Sequence, residues 1–122
     1  MNLAIVGSRT FDNYEMLTSK IDEICANNNI EIGKIVSGGA RGADRMGERF
    51  AKERGIETLI FPAEWNKYGK RAGFIRNETI IDNCDICIAF WDGESRGTKH
   101  DIDLCKQKGK VCYVVYFGTD KY

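Results

Sequence analysis

The residues best placed to do chemistry lie in three glycine-bearing turns: Gly7-Ser8-Arg9, Ser37-Gly38-Gly39-Ala40-Arg41-Gly42-Ala43-Asp44, and Asp92-Gly93-Glu94-Ser95-Arg96-Gly97-Thr98. Each follows a short apolar run and opens a helix-like segment. Glycine lets the backbone approach a ligand closely, and a helix's first turn presents N–H groups that carry partial positive charge. Each turn also holds an arginine, whose guanidinium suits bidentate contact with phosphate. Three such turns in one small chain point to a phosphate-bearing small molecule.

Several other chemistries are excluded by what the chain lacks. No G-x-x-x-x-G-K-[ST] segment occurs, so the nucleoside-triphosphatase loop is absent. The first turn lacks G-x-G-x-x-G, and the second strand ends in Ser37 rather than in an acid placed to hold a ribose, which argues against a dehydrogenase. No nucleophile elbow is present, and the single histidine, His100, falls inside a helical pattern with a local role. Asp92 and Asp101 lack the oxygen-rich loop of a metal site. Cys84-Asp85-Ile86-Cys87 has zinc or redox spacing but no second ligand pair, and it leads into a strand, so it reads as core. No metal and no cofactor are expected.

The elements that must position these turns follow from hydrophobic periodicity. Leu3–Val6, Ile35–Ser37, Thr58–Phe61, Ile86–Trp91 and Val111–Phe117 read as strands. The first, third and fourth are nearly continuous apolar runs, as in parallel strands covered on both faces. Asp12 reads as a helix cap with Glu15 three positions on, and Tyr14, Leu17, Ile21, Ile24 and Cys25 form one stripe. Ala43, Met46, Gly47, Phe50 and Ala51 form another, stopped by Gly55. Further helices span Arg76 to Asn83 and Thr98 to Lys108. This alternation predicts an α/β fold, a Rossmann-like doubly wound parallel sheet of about five strands with helices on both faces. In the order 3-2-1-4-5 the three turns are neighbours at the carboxyl edge, where such sheets bind ligands. Gly7, Gly39 and Gly97 should then share one crevice.

The chain of 122 residues suits a single domain over 1–122, with 43% apolar and 30% charged residues. Eighteen basic and eighteen acidic residues cancel, which disfavours a nucleic-acid-coating surface. The apolar run before Gly7 is too short for a signal peptide or a membrane span. Five cysteines among apolar neighbours fit free thiols in a reducing cytoplasm. A homodimer or higher homo-oligomer stays open.

The ordered blocks also carry a family resemblance. Gly7-Ser8-Arg9 with Phe11, the G-G-A-R-G-A-D run from Gly38 to Asp44, and Pro62-Ala63-Glu64-Trp65 through Tyr68-Gly69 resemble the YspA-like, YpsA-related branch of the SLOG superfamily, as do Ala72-Gly73 with Arg76-Asn77 and Gly97-Thr98. The resemblance implies a Rossmann-like fold and a site for a nucleotide or nucleotide derivative, used by a sensor, carrier or sequestering protein. Gly7, Ser8, Gly39, Gly97 and Thr98 would give donors to phosphate, and Arg9, Arg41, Arg76 and Arg96 would neutralise it. Trp65 or Tyr68 would cover a base, with Ser37, Gly38, Gly42, Asp44, Asn77, Trp91, Asp92, Gly93 and Ser95 completing the site. The wider superfamily includes the Lonely Guy phosphoribohydrolases, and Asp101 stands where their catalytic glutamate does. An N-glycosidic hydrolase using Asp101 or Glu94 with Arg76 is therefore the first rival. A single-stranded nucleic-acid module is the second, disfavoured by zero net charge.

Overall fold

The computed structural model describes residues 1–117. Five strands, β1 (Asn2–Gly7), β2 (Lys34–Ser37), β3 (Glu57–Ile60), β4 (Ile86–Trp91) and β5 (Val111–Tyr116), form one sheet in the order β3-β2-β1-β4-β5. Every pairing is parallel. The expected class and strand order are both present.

Side-chain alternation divides the core in two. Leu3 and Ile5 of β1, Ile35 of β2 and Ile86, Ile88 and Phe90 of β4 face α1 (Tyr14–Asn28) and α2 (Ala43–Arg54). Ala4, Val6, Val36, Cys87 and Ala89 face α4 (Ala72–Asp82) and α5 (Arg96–Gln107). Continuous apolar runs are what two buried faces require. The edge strand β3 departs from this expectation: Thr58 and Leu59 are half-buried and Ile60 is 44% exposed. At the margin of the sheet the helices do not extend fully over both faces of the strand, so its apolar run is only partly covered.

Helix boundaries differ from the expectation in instructive ways. The cap of α1 is Asn13, not Asp12, its side chain accepting from the Met16 N–H at 2.9 Å. Phe11 is buried, stacked on Phe90 at 4.9 Å, which anchors the chain just before the helix begins. Before α4 run a short helix α3 (Trp65–Tyr68) and a 3-10 turn (Gly69–Arg71). The helix α4 begins at Ala72, four residues ahead of the expected Arg76, so Arg76 and Asn77 lie in its second turn. The helix α5 is capped by Ser95, whose hydroxyl oxygen accepts from the Thr98 N–H and Oγ1. Among the described residues no helix is long and apolar enough to cross a membrane.

Candidate functional site

The crevice is assembled from the carboxyl ends of β1 and β4 and from α2, α4 and α5. After β1 the chain must pass beneath α2, and glycine makes that possible. A Cβ on Gly7 would stand 2.4 Å from the Phe90 carbonyl and 2.6 Å from the Ala43 Cβ, and one on Gly42 (φ +80°) would stand 2.3 Å from the Ser8 carbonyl. Both glycines therefore let the first two turns touch. Ser8 ties the first turn to the third: its N–H donates to the Phe90 carbonyl at 2.9 Å, and its Oγ accepts from the Asp92 N–H at 3.3 Å. The Asp92 carboxylate accepts from the Glu94 and Ser95 N–H groups, each at 2.8 Å. Burial pulls its proton affinity up, but the bonds from Ser95 and Glu94 outweigh this and hold it below an ordinary aspartate.

These turns enclose a cavity of about 340 Å3. Gly7, Ser8, Arg9 and Thr10 line it from the first turn, Ala40 and Asp44 from the second, and Asp92, Ser95, Gly97, Thr98 and Asp101 from the third turn and α5. Arg76, Asn77 and Ile80 of α4 close it. Arg9, Thr10 and Gly97 are exposed, whereas Asp44, Asn77 and Asp101 are each 5% exposed. The mouth is thus rich in donors and the interior holds two carboxyl groups.

Those carboxyls are unusual. Burial pushes Asp44 up to about 6, against the pull of Arg76 and of the Ala40 and Gly38 N–H groups. Burial and then the negative charge of Asp44 hold Asp101 well above the usual carboxylate range, with Arg76 opposing. Asp101 Oδ1 is buried and has no hydrogen-bond partner among the described residues. Arg76 is held in place from two sides: Nη1 donates to the Gly38 carbonyl at 3.0 Å and Nε to Asn77 Oδ1 at 3.0 Å. The Asn77 amide reaches the Gly97 carbonyl at 3.4 Å and His100 Nδ1 at 3.1 Å, linking α4 to α5. His100 also meets Phe74 edge-on at 4.7 Å, the local role expected of it.

The structure does not bring every sequence-predicted residue into this cavity. Gly38, Gly39, Arg41 and Trp65 line a neighbouring cavity of about 280 Å3 that shares Arg9, Ala40 and Arg76 with the first. Tyr68 lines a third, of about 340 Å3, which also includes Arg76. The expected single crevice is therefore a chain of three hollows meeting at Arg76, with Gly39 one hollow away from Gly7 and Gly97. Ser37 lies beneath the second turn, its hydroxyl donating within reach of the Asp44 carbonyl and Glu48, each at 3.1 Å. Trp91 lines none of the three; its indole N–H donates to the Ser95 carbonyl at 3.0 Å and its ring lies 5.5 Å from that of Tyr116. Gly93 and Arg96 are exposed outside them. The sequence reading missed Val6, Thr10, Ala40 and Ile80. Thr10 and Ala40 simply adjoin the turns already singled out, and Val6 and Ile80 are apolar residues that also belong to the core.

Comparison with known proteins agrees with the fold. A family model described as the YspA, cpYpsA-related SLOG family matches residues 1–68, which include the first two turns and stop short of Arg76 and the third. Gene 61 protein of Mycobacterium phage D29 is 40% identical over 90 residues, covering 69% of this chain and 70% of that relative. Among solved structures, DNA processing protein A from Helicobacter pylori, described for its single-stranded DNA binding mode, superimposes with a TM-score of 0.70 at 20% identity. The match covers 98% of this chain and 67% of that one, and it speaks to the fold alone.

Proposed function

The chain belongs to the YspA, cpYpsA-related SLOG family, and from that membership we propose that it binds a nucleotide or nucleotide-derived small molecule at the carboxyl edge of its sheet, as a sensor, carrier or sequestering protein. The observation that carries this reading is one cavity with a donor-rich mouth and an acceptor-rich interior. Phosphate belongs at the mouth, beside Arg9 and the first turn of α5 at Gly97 and Thr98, where N–H dipoles and a guanidinium favour negative charge. It does not belong deeper, where Asp44, titrating at about 6, is negative at neutral pH and would repel it. Asp44 and Asp101 instead suit the hydroxyl donors of a ribose, and Asp101 Oδ1 has an acceptor position to fill. A base would pass Arg76 toward Trp65 in the second hollow, whose ring is 53% exposed and free to stack. Five free cysteines fit a cytoplasmic location.

Native mass spectrometry of the protein as purified from cells, followed by denaturation and identification of what is released, tests the proposal directly. A retained phosphate-bearing adduct is expected. A chain that carries none, and that binds no nucleoside monophosphate, dinucleotide or ADP-ribose by calorimetry, would sink the reading.

A second reading rests on Asp101. A carboxyl whose proton affinity is raised by burial and by the neighbouring Asp44 could serve as general acid for N-glycosidic cleavage, with Arg76 stabilising developing charge. Wild type and Asp101→Asn are compared for release of free base from nucleoside monophosphates and dinucleotides. No release from either is expected; turnover in the wild type that vanishes in the variant would promote the hydrolase.

A further inference from the structure

The Cys84-x-x-Cys87 spacing lacked a second pair of ligands in the sequence, and the fold supplies one. Cys87 in β4 and Cys112 in β5 are register partners in adjacent parallel strands, so their side chains share a face. The helix α5 packs across that face and brings Cys105 to them. The three sulfur atoms lie within 4.8 Å of one another. Cys87 and Cys105 are fully buried and Cys112 is half-buried.

A trigonal or tetrahedral thiolate centre with metal–sulfur bonds of about 2.3 Å needs sulfurs about 3.8–4 Å apart. The cluster is within roughly 1 Å of that spacing by the same measure. Charge balance is also provided. The Lys110 ammonium stands beside the cluster, donating to the Ile81 carbonyl at 2.6 Å and the Cys84 carbonyl at 2.7 Å. It pairs with no carboxylate among the described residues. Three converging sulfurs in the apolar core, with a cation nearby, are a poor place for water and a good one for a soft ion.

We propose that Cys87, Cys105 and Cys112 form a buried thiolate site for a thiophilic d10 cation, Cu(I) or Zn(II). Binding forms three metal–sulfur bonds and releases the thiol protons to solvent, leaving an anionic centre next to Lys110. Three sulfurs suffice for Cu(I). Zn(II) needs a fourth ligand; Cys84 stands outside the three-sulfur group, its thiol donating to the Ile81 carbonyl at 3.4 Å, and would have to leave that bond and move to supply it. Cys25 lies across the sheet in the other half of the core and is an internal control.

The test adds Co(II), as a spectroscopic substitute for Zn(II), or Cu(I) to the reduced metal-free chain under anaerobic conditions. One equivalent should bind. Co(II) should give the intense thiolate-to-metal charge-transfer absorption, and Cu(I) should be retained against a chromophoric chelator. Cys112→Ser should abolish both, and Cys25→Ser should change neither. Where Cys112→Ser does not fold, Cys112→Ala keeps the position apolar and answers the same question. Loss of Co(II) but not Cu(I) binding in Cys84→Ser identifies the fourth sulfur. A wild-type chain that takes up neither ion at micromolar concentration overturns the proposal, as does a folded Cys112 variant that binds as the wild type does.

Discussion

Arg76 is the residue on which the three hollows converge, and its two hydrogen bonds fix it before any ligand arrives. Such preorganisation removes an entropic cost from binding. Arg76→Ala should weaken a phosphate-bearing ligand by about 1.5–3 kcal/mol, the scale of hydrogen bonds to charged groups, as read by calorimetry against the wild type. Unchanged affinity would remove Arg76 from the site. The buried acids make a separate prediction about pH. Asp44 titrates at about 6 in the folded chain against 3.8 for an ordinary aspartate. The unfolded chain therefore gives up this proton first, so Asp44's contribution is fully present below about pH 4 and declines as pH rises toward 6. The loss is about 3 kcal/mol for a shift of that size. Asp101, raised in the same direction, adds to the decline. Asp44→Asn should flatten this part of the stability profile and gain on the wild type at pH 8 in urea unfolding. A wild-type profile that rises from pH 4 to 6 no less steeply than the variant's would show that Asp44 is not destabilised by its burial.

Among the elements, the turns divide into those that build the crevice and those that face its contents, and glycine substitutions separate the two. Gly42→Ala puts a Cβ against the Ser8 carbonyl at a backbone conformation L residues rarely adopt; it should cost about 2–4 kcal/mol of stability by pushing α2 from the first turn. A Cβ on Gly97, in the first turn of α5, meets nothing within 4 Å. Gly97→Ala should leave stability equal or improved by about 0.5 kcal/mol while weakening the ligand, since the methyl group stands at the cavity mouth. Thermal unfolding and calorimetry on the same pair of variants decide it: a large stability loss in Gly97→Ala would make that glycine structural. This division also marks what the chain's residues disclosed beforehand. Apolar runs and stripes specify which face is buried, so strand order and the meeting of the first and third turns were legible. Alternation puts Trp91 on the face of Cys87 and Ala89, where α4 and α5 pack; what occupies its side chain instead of the cavity is the Ser95 carbonyl and the Tyr116 ring, and neither contact is visible in spacing along the chain. The helix α3 was not foreseen, because its four residues carry no periodicity. Cys105 and Cys112 were overlooked as partners of Cys87 because their proximity arises from strand register and helix packing, not from spacing along the chain.

At the scale of the whole molecule, charge distinguishes a small-molecule site from a nucleic-acid surface. Eighteen basic and eighteen acidic residues cancel, and six of the cations are already matched in surface ion pairs, among them Arg49 with Glu53 and Arg54 with Asp22. Arg9, Arg41 and Arg96 are in no ion pair among the described residues, and Arg9 and Arg41 line the hollows. A few cations at one edge can hold one or two phosphates, whereas tracking a strand needs a groove of basic and aromatic groups over many nucleotides. Fluorescence anisotropy with a labelled oligothymidylate should therefore show no binding at about 0.15 M salt, and only weak binding at low salt with a slope that reports one or two phosphates. A mononucleotide or ADP-ribose should bind with little loss over the same range, because its sugar and base contacts do not depend on counterion release. Tight oligonucleotide binding with a steep salt slope, lost in Arg9→Ala and Arg41→Ala and not displaced by any small nucleotide, would reverse the assignment and make the hollows part of a strand-binding track.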